Sequence, residues 1–432
     1  MIDIKKKPAT STMLVLLSSL VFVGCTNSSG ETPSANDIKV KDDETPVTLK
    51  IMQTSSVSIS DDAFQTIFVD PVKAKYPYIT LELVRNGQGT RLEDLVTAGT
   101  IPDMLMIWNG QMATYSDLNL FQDITPLIKK RNVDLNRFEP VVLDAIRVVS
   151  DKGELYGLPY AVQLNALYYN KDIFDKFGVP YPKDGMTWDD TIDLAKKVTR
   201  LDGDVQYRGL DPEHLERLSF QKSLDMVDAK TNKASVNTDA WKQVMENAYK
   251  IYSIPGNAKD SNNFLKQKTI AMFAGINIFD ALTTATTKDG FTNWDVAQYP
   301  SYKDNPNVYG MVDTHVLTIS KSTKYADAAM KVLEVVTSDE VQTISAKKTL
   351  RLTPLKNPEI KKALGADNPI MKDKHIDSIF KSKPAPAPVI SPNHAKAKAI
   401  LYKSFDEYLA GKDVNTALRE AEANINQALL QP

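Results

Sequence analysis

Apolar residues recur along this chain with two periods, and the alternation between them predicts strands and helices in turn. Val47, Leu49 and Ile51 alternate as a strand, and the polar run 53–60 follows it. From Asp62 to Lys75, Phe64, Ile67, Phe68 and Val72 fall on one side of a helix that Tyr76-Pro77 ends. Ile79, Leu81 and Leu83 predict a second strand, and a helix near Arg91 to Ala98 precedes PDMLMIW at 102–108. That run is almost continuously apolar, as a strand buried on both faces must be. The order βαβαβ implies a parallel sheet covered by helices, with ligands held beyond the carboxyl ends of its strands. Ser55-Ser56 and Trp108-Asn109-Gly110-Gln111 are the segments expected there.

After Thr125, read as the N-cap of a helix with Pro126 at its first position, and a hairpin turn at Asp151 to Gly153, the pattern changes. Leu158, Tyr160, Val162 and Leu164 alternate with Pro159, Ala161, Gln163 and Asn165, which predicts one strand with an apolar face and a small, polar face. Lys171 to Phe177 reads as a short helix stopped by Gly178, Pro180 and Pro182. Thr187 and Asp190 form a capping-box pattern that opens Trp188 to Thr199, with Trp188, Ile192, Ala195 and Val198 on one face. Leu201 to Asp204 reads as a hairpin turn, because the remaining oxygen ligands of a calcium loop are missing. Trp241, Met245, Ala248 and Tyr249 line a helix face, and 267–282 reads as a strand, a turn at Gly275 and a helix start carrying Asn277. Strands are expected at 295–299 and 315–320, helices over 320–344, a Pro/Ala-rich loop at 383–392, and closing helices at 393–410 and 414–430.

YGLPYAVQLNALYYNKDIF followed by a TW-D helix start resembles the family 1 extracellular solute-binding proteins, at the run where the chain first passes between two lobes. The resemblance implies a two-lobe, periplasmic-binding-protein-like α/β fold of type II, with mixed sheets flanked by helices and two crossover hinge strands. Lobe 1 would comprise 47–158 and 314–365, and lobe 2 would comprise 159–313 and 366–432, with the second crossover at Thr314 to Ser320. It further implies a protein that captures a carbohydrate and delivers it to the permease subunits of an ABC importer by hinge closure. A sensor presenting its closed form to a membrane receptor, or a secreted carbohydrate-active enzyme, is the alternative.

The amino terminus bears on location. Lys5 to Lys7 precede an apolar run, Met13 to Val23, that suits a signal peptide and is too short to span a bilayer. It ends at Gly24-Cys25, and Phe22-Val23-Gly24-Cys25 resembles a bacterial lipobox with Phe22 in place of the usual Leu. Residues 1–24 are therefore expected to be removed, Cys25 to be acylated, and 25–46 to form a polar tether holding the protein to the outer face of the membrane. Cys25 is the only cysteine, so no intramolecular disulfide is expected. Charged residues at 25%, hydrophobic ones at 42% and a net charge of -2 describe a globular protein with no reason to bind nucleic acid. A monomer is expected.

Catalytic constellations are absent from the pattern. The four histidines show no metal-binding spacing, and neither GxSxG nor a phosphate-binding GxxxxGK[ST] occurs. Carboxylates are abundant, so counting leaves a glycosidase pair open; that no catalytic residue is expected is what the resemblance implies, and no cofactor or metal is expected. A sugar cleft needs donors and acceptors from both lobes and a flat apolar face. Trp108 is the candidate face, against a reading as plain core. Gln163 stands where maltodextrin-binding members of the family have Glu, and Asn277 near where they stack a Trp, so the resemblance implies a different selectivity. Asn109, Gln111 and Asn165 complete the polar set. Asp313 reads as a ligand for paired hydroxyls or as a turn residue, Arg351 as a cleft residue or a surface ion pair, and Ser55 and Ser56 as ligand contacts or helix caps.

Overall fold

Ten strands build the two principal sheets: β1 (Val47–Gln53), β2 (Ile79–Arg85), β3 (Met104–Trp108), β4 (Gly157–Val162), β5 (Asn165–Asn170), β6 (Arg200–Asp202), β7 (Val205–Asp211), β8 (Ile270–Ile276), β9 (Trp294–Ala297) and β10 (Thr314–Ile319). The structure is a computed structural model that describes residues 44–116, 118–259 and 264–431. Cys25, the signal-peptide expectation and the tether through residue 43 lie outside the described residues. From Thr45 onward the chain forms one unit.

The first sheet has the order β2-β1-β3-β10-β4. β1 runs parallel to β2 and β3, as the βαβαβ pattern requires, and β10 lies antiparallel between β3 and β4. Met104 to Ile107 are buried because helices cover both faces of β3. The helix between β1 and β2 runs on from Asp61 to Lys75 through a π turn, Gln65–Val69, where Asp70 N–H reaches Gln65 O. Pro71 follows directly; it has no N–H to give, and the widened turn keeps its ring clear of the preceding carbonyls.

The second sheet has the order β9-β5-β8-β7-β6. Its core holds Trp188, Leu218, Trp241 and Met272, and is completed by Leu401, Phe405, Leu418 and Ile425 from the two closing helices, His394–Leu409 and Val414–Leu429. The capping box of Thr187 and Asp190 and the left-handed Gly178 stand where expected.

Several local expectations are corrected. The stretch 158–165 is two strands in different sheets, not one half-exposed strand. Every residue of β4 and β5 is buried, so alternation there does not separate a wet face from a dry one. β4 stays in the first sheet as far as Val162, which puts the change of sheet at Gln163-Leu164, beyond the expected division after residue 158. The 151–153 turn joins the helix Pro140–Arg147 to β4 and is not a hairpin. Thr125 is the first residue of the helix Thr125–Lys130, not its cap; Ile124 holds the N-cap position, and Asp123 before it accepts the Thr125 N–H at 2.9 Å. Gly275 lies within β8, and the turn falls at Asn277 and Ile278. Tyr249 is exposed and stacks on Tyr408, while Trp241, Met245 and Ala248 are core.

Candidate functional site

A cavity of about 480 Å³ opens where the loops after β1, β4 and β8 meet. The connection after β1 brings Ser56, Ser58 and Ser60 to its wall, and the passage from β4 to β5 brings Gln163. His315 comes from the start of β10, Asn277 and Asp280 from the turn and helix after β8, and Thr349 and Arg351 from the end of the helix Asp339–Thr349. Both sheets therefore contribute groups, and most of those groups are neutral donors or acceptors.

Ser56 Oγ accepts the Trp108 N–H at 3.2 Å and lies 3.0 Å from Thr54 Oγ1, so the loop after β1 is tied to the end of β3. Gln163 is fixed through its backbone, which donates to Asp313 O at 2.8 Å and accepts Tyr309 Oη at 3.3 Å, leaving its amide 3.5 Å from His315 Nε2. Asn277 Oδ1 accepts Phe279 N–H at 3.0 Å, and its Nδ2 donates to Leu350 O at 2.8 Å. Arg351 Nη2 donates to Ser58 O at 3.0 Å. Burial, with the Arg351 charge adding to it, pushes the His315 imidazole down to about 3 and keeps it neutral. Burial raises the Asp280 carboxyl while Arg351 opposes the rise.

Of the residues expected from sequence, Ser56, Gln163, Asn277 and Arg351 thus share one wall. Ser55 is exposed and off that wall. Trp108 is half-buried and packs on Phe220, Met311 and Ile390, beside the cavity and not within its lining. Its indole folds over Gly110, where an added Cβ would stand 2.4 Å from the ring. Trp108 Nε1 and Gln111 Oε1 are both buried without a protein partner. Asn109 and Asn165 serve the backbone: Asn109 bonds Val312 O and Thr314 N–H, and Asn165 Nδ2 donates to Tyr309 O at 2.7 Å. Asp313 lies 3.7 Å from Arg217 Nη1; burial pushes its carboxyl up to about 6, Arg217 opposing and Glu213 adding to the rise. Sequence reasoning missed Ser58, Ser60, Asp280, His315 and Thr349. The available signal was position, since His315 begins a strand expected to be the second crossover.

Residues 68–372 match the family described as bacterial extracellular solute-binding protein, more than half of the chain. The chain belongs to that family. An arabinooligosaccharide-binding protein of Bacillus subtilis (strain 168) is 29% identical over 211 residues, covering 46% of this chain and 43% of that protein. The solute-binding match thus spans less than half the length of that curated relative. Among solved structures, a sugar transporter from Rhizobium etli in an open conformation superposes with a TM-score of 0.71 at 21% identity, covering 88% of this chain and 99% of that one. An ABC substrate-binding protein from Listeria monocytogenes in complex with cycloalternan gives 0.70 at 19% identity, covering 89% and 99%. At these identities the likeness establishes the periplasmic-binding α/β fold of this solute-binding protein.

Proposed function

We propose that this protein captures a carbohydrate outside the cell and delivers it to the permease subunits of an ABC importer, without chemical turnover. The observation that carries the reading is the cavity wall itself. Ser56, Ser58 and Gln163 from the first sheet face Asn277 from the second, so neutral hydroxyl and amide groups converge from both sides. Such groups pair with the donor-acceptor hydroxyls of a sugar. The lobes of this reading are built on the two sheets, lobe 1 from 47–162 and 314–365 and lobe 2 from 163–313 and 366–432, the division expected after residue 158 moving so that β4 stays whole. The chain passes between the sheets at Gln163-Leu164 and again at Val312-Asp313, and bending there closes the cavity on its ligand. Acylated Cys25 and the polar segment 25–46 hold the monomer at the outer face of the membrane in this reading.

A thermal-shift panel of mono-, di- and oligosaccharides, arabinooligosaccharides included, tests it. A ligand at 100 times its dissociation constant should stabilise the protein by about 2.7 kcal/mol. A panel in which no sugar moves the melting temperature, while peptides or amino acids do, would overturn it.

A further inference from the structure

Two residues of the cavity wall, and a third packed against one of them, hold buried donors without protein partners. Arg351 Nε, His315 Nδ1 and Tyr160 Oη are each buried and unpaired. The Tyr160 and His315 rings lie 5.9 Å apart, and the Arg351 charge acts on both. His315 is only 4% exposed, yet it lines the cavity together with Arg351. The Gln163 amide nitrogen lies 3.5 Å from His315 Nε2, and an amide N–H donated there selects the neutral tautomer with its proton on Nδ1. A guanidinium N–H and an imidazole N–H then belong to two residues of the cavity wall, with a phenol O–H on the ring beside the imidazole, and a buried donor left unmet is costly.

We propose that the ligand carries an anionic substituent, a carboxylate or a phosphate ester, which Arg351 and His315 receive with Tyr160 behind them. This rests on the carbohydrate reading and narrows it to an acidic or phosphorylated polyol. An anion accepts at every oxygen and forms the strong, charge-assisted bonds a guanidinium is shaped for, whereas a neutral hydroxyl brings a proton of its own into a group of donors. The wall carries one permanent cation, Arg351, and one carboxylate, Asp280, whose charged form burial disfavours and Arg351 favours.

Calorimetry on the mature, unlipidated chain with matched pairs tests the proposal: D-galactose against D-galacturonate, D-glucose against D-glucose 6-phosphate, and glycerol against glycerol 3-phosphate. The anionic member of at least one pair should bind about tenfold tighter or more, and the pair that responds separates carboxylate from phosphate. Arg351→Gln should shrink that preference, and Arg351→Lys should restore part of it. Neutral members binding as tightly as their anionic partners would overturn the proposal and leave the carbohydrate reading standing. So would a preference that survives Arg351→Gln. Binding of neither member of any pair, with peptides bound instead, would overturn both. The wild-type comparison decides even if a variant fails to fold.

Discussion

Asn109 clasps the second crossover: its Oδ1 accepts the Thr314 N–H at 2.8 Å while its Nδ2 reaches Val312 O at 3.4 Å. The residue that ends the ligand edge of β3 thereby fixes the backbone on either side of Asp313. Asn109→Ala leaves a buried N–H and a buried carbonyl unpaired, which should lower stability by about 1–3 kcal/mol. Ligand-free melting and chemical denaturation read the loss. Small-angle scattering should also show a broader distribution of sizes if the chain bends at Val312-Asp313 as proposed, because that segment loses its tie. Asn109→Asp keeps the acceptor for Thr314 but turns a buried carboxylate toward the Val312 carbonyl, so it should not restore the lost stability at neutral pH.

Trp108 and Gly110 form a second coupled pair. Gly110→Ala puts a methyl into the indole, whose position would have to change at a cost of about 1–3 kcal/mol. Trp108→Ala removes the contact with Phe220, Met311 and Ile390 and should lower the ligand-free melting temperature, with a loss of about 2 kcal/mol for a half-buried indole. Both variants should weaken sugar binding in calorimetry. Trp108→Ala with unchanged melting and unchanged affinity would show that the indole matters neither to packing nor to ligand.

Stability should depend on pH through His394. Its Nδ1 lies 2.6 Å from Asp225 Oδ1 and its Nε2 lies 2.6 Å from Glu216 Oε1, joining a closing helix to the helix Leu215–Phe220. Burial works against the imidazolium, but the two carboxylates outweigh it and raise the group from 6.5 to about 9. Glu216 is held down to about 2 from 4.5: burial pushes it up, but the His394 hydrogen bond and Lys398 prevail. A raised histidine contributes fully below about 6.5 and loses its contribution as pH climbs through about 9. A lowered carboxylate contributes above about 4.5 and loses its contribution as pH falls through about 2. The melting temperature should therefore decline from near-neutral pH toward pH 9–10. In His394→Gln that alkaline decline should be shallower and the whole profile lower.

Cys25→Ser tests the anchor. The variant should carry no lipid mass at its amino terminus and should leave the membrane fraction for the medium or the soluble fraction. A wild-type mature protein that begins elsewhere and bears no lipid would defeat the expectation.

Much of the fold was legible because its punctuation is local. Gly178 ends a helix at φ 63, and Thr187 with Asp190 opens the next by reciprocal hydrogen bonds. The junction at Gln163-Leu164 was not legible, since two fully buried strands in succession produce no break in hydrophobicity. The site was legible in part. Strand ends pointed to Ser56, Gln163 and Asn277, but a polar residue at a strand end serves backbone as readily as ligand, and Asn109 and Asn165 do the former. The meeting of His315 with Arg351 brings the start of β10 to the segment just after the helix Asp339–Thr349, and no local pattern encodes it.

The order of the first sheet bears on how the polypeptide matures. β10 lies between β3 and β4, so the middle of that sheet stays open until residues 314–319 have been made. The second core waits longer still, for Leu401, Phe405, Leu418 and Ile425 in the final two helices. A growing chain with this connectivity cannot close its first sheet until residues 314–319 are made, or finish its second half until synthesis is almost complete, and long-range pairings of this kind form slowly. A polypeptide slow to fold remains a thread for longer, the form in which a secretion channel accepts its cargo.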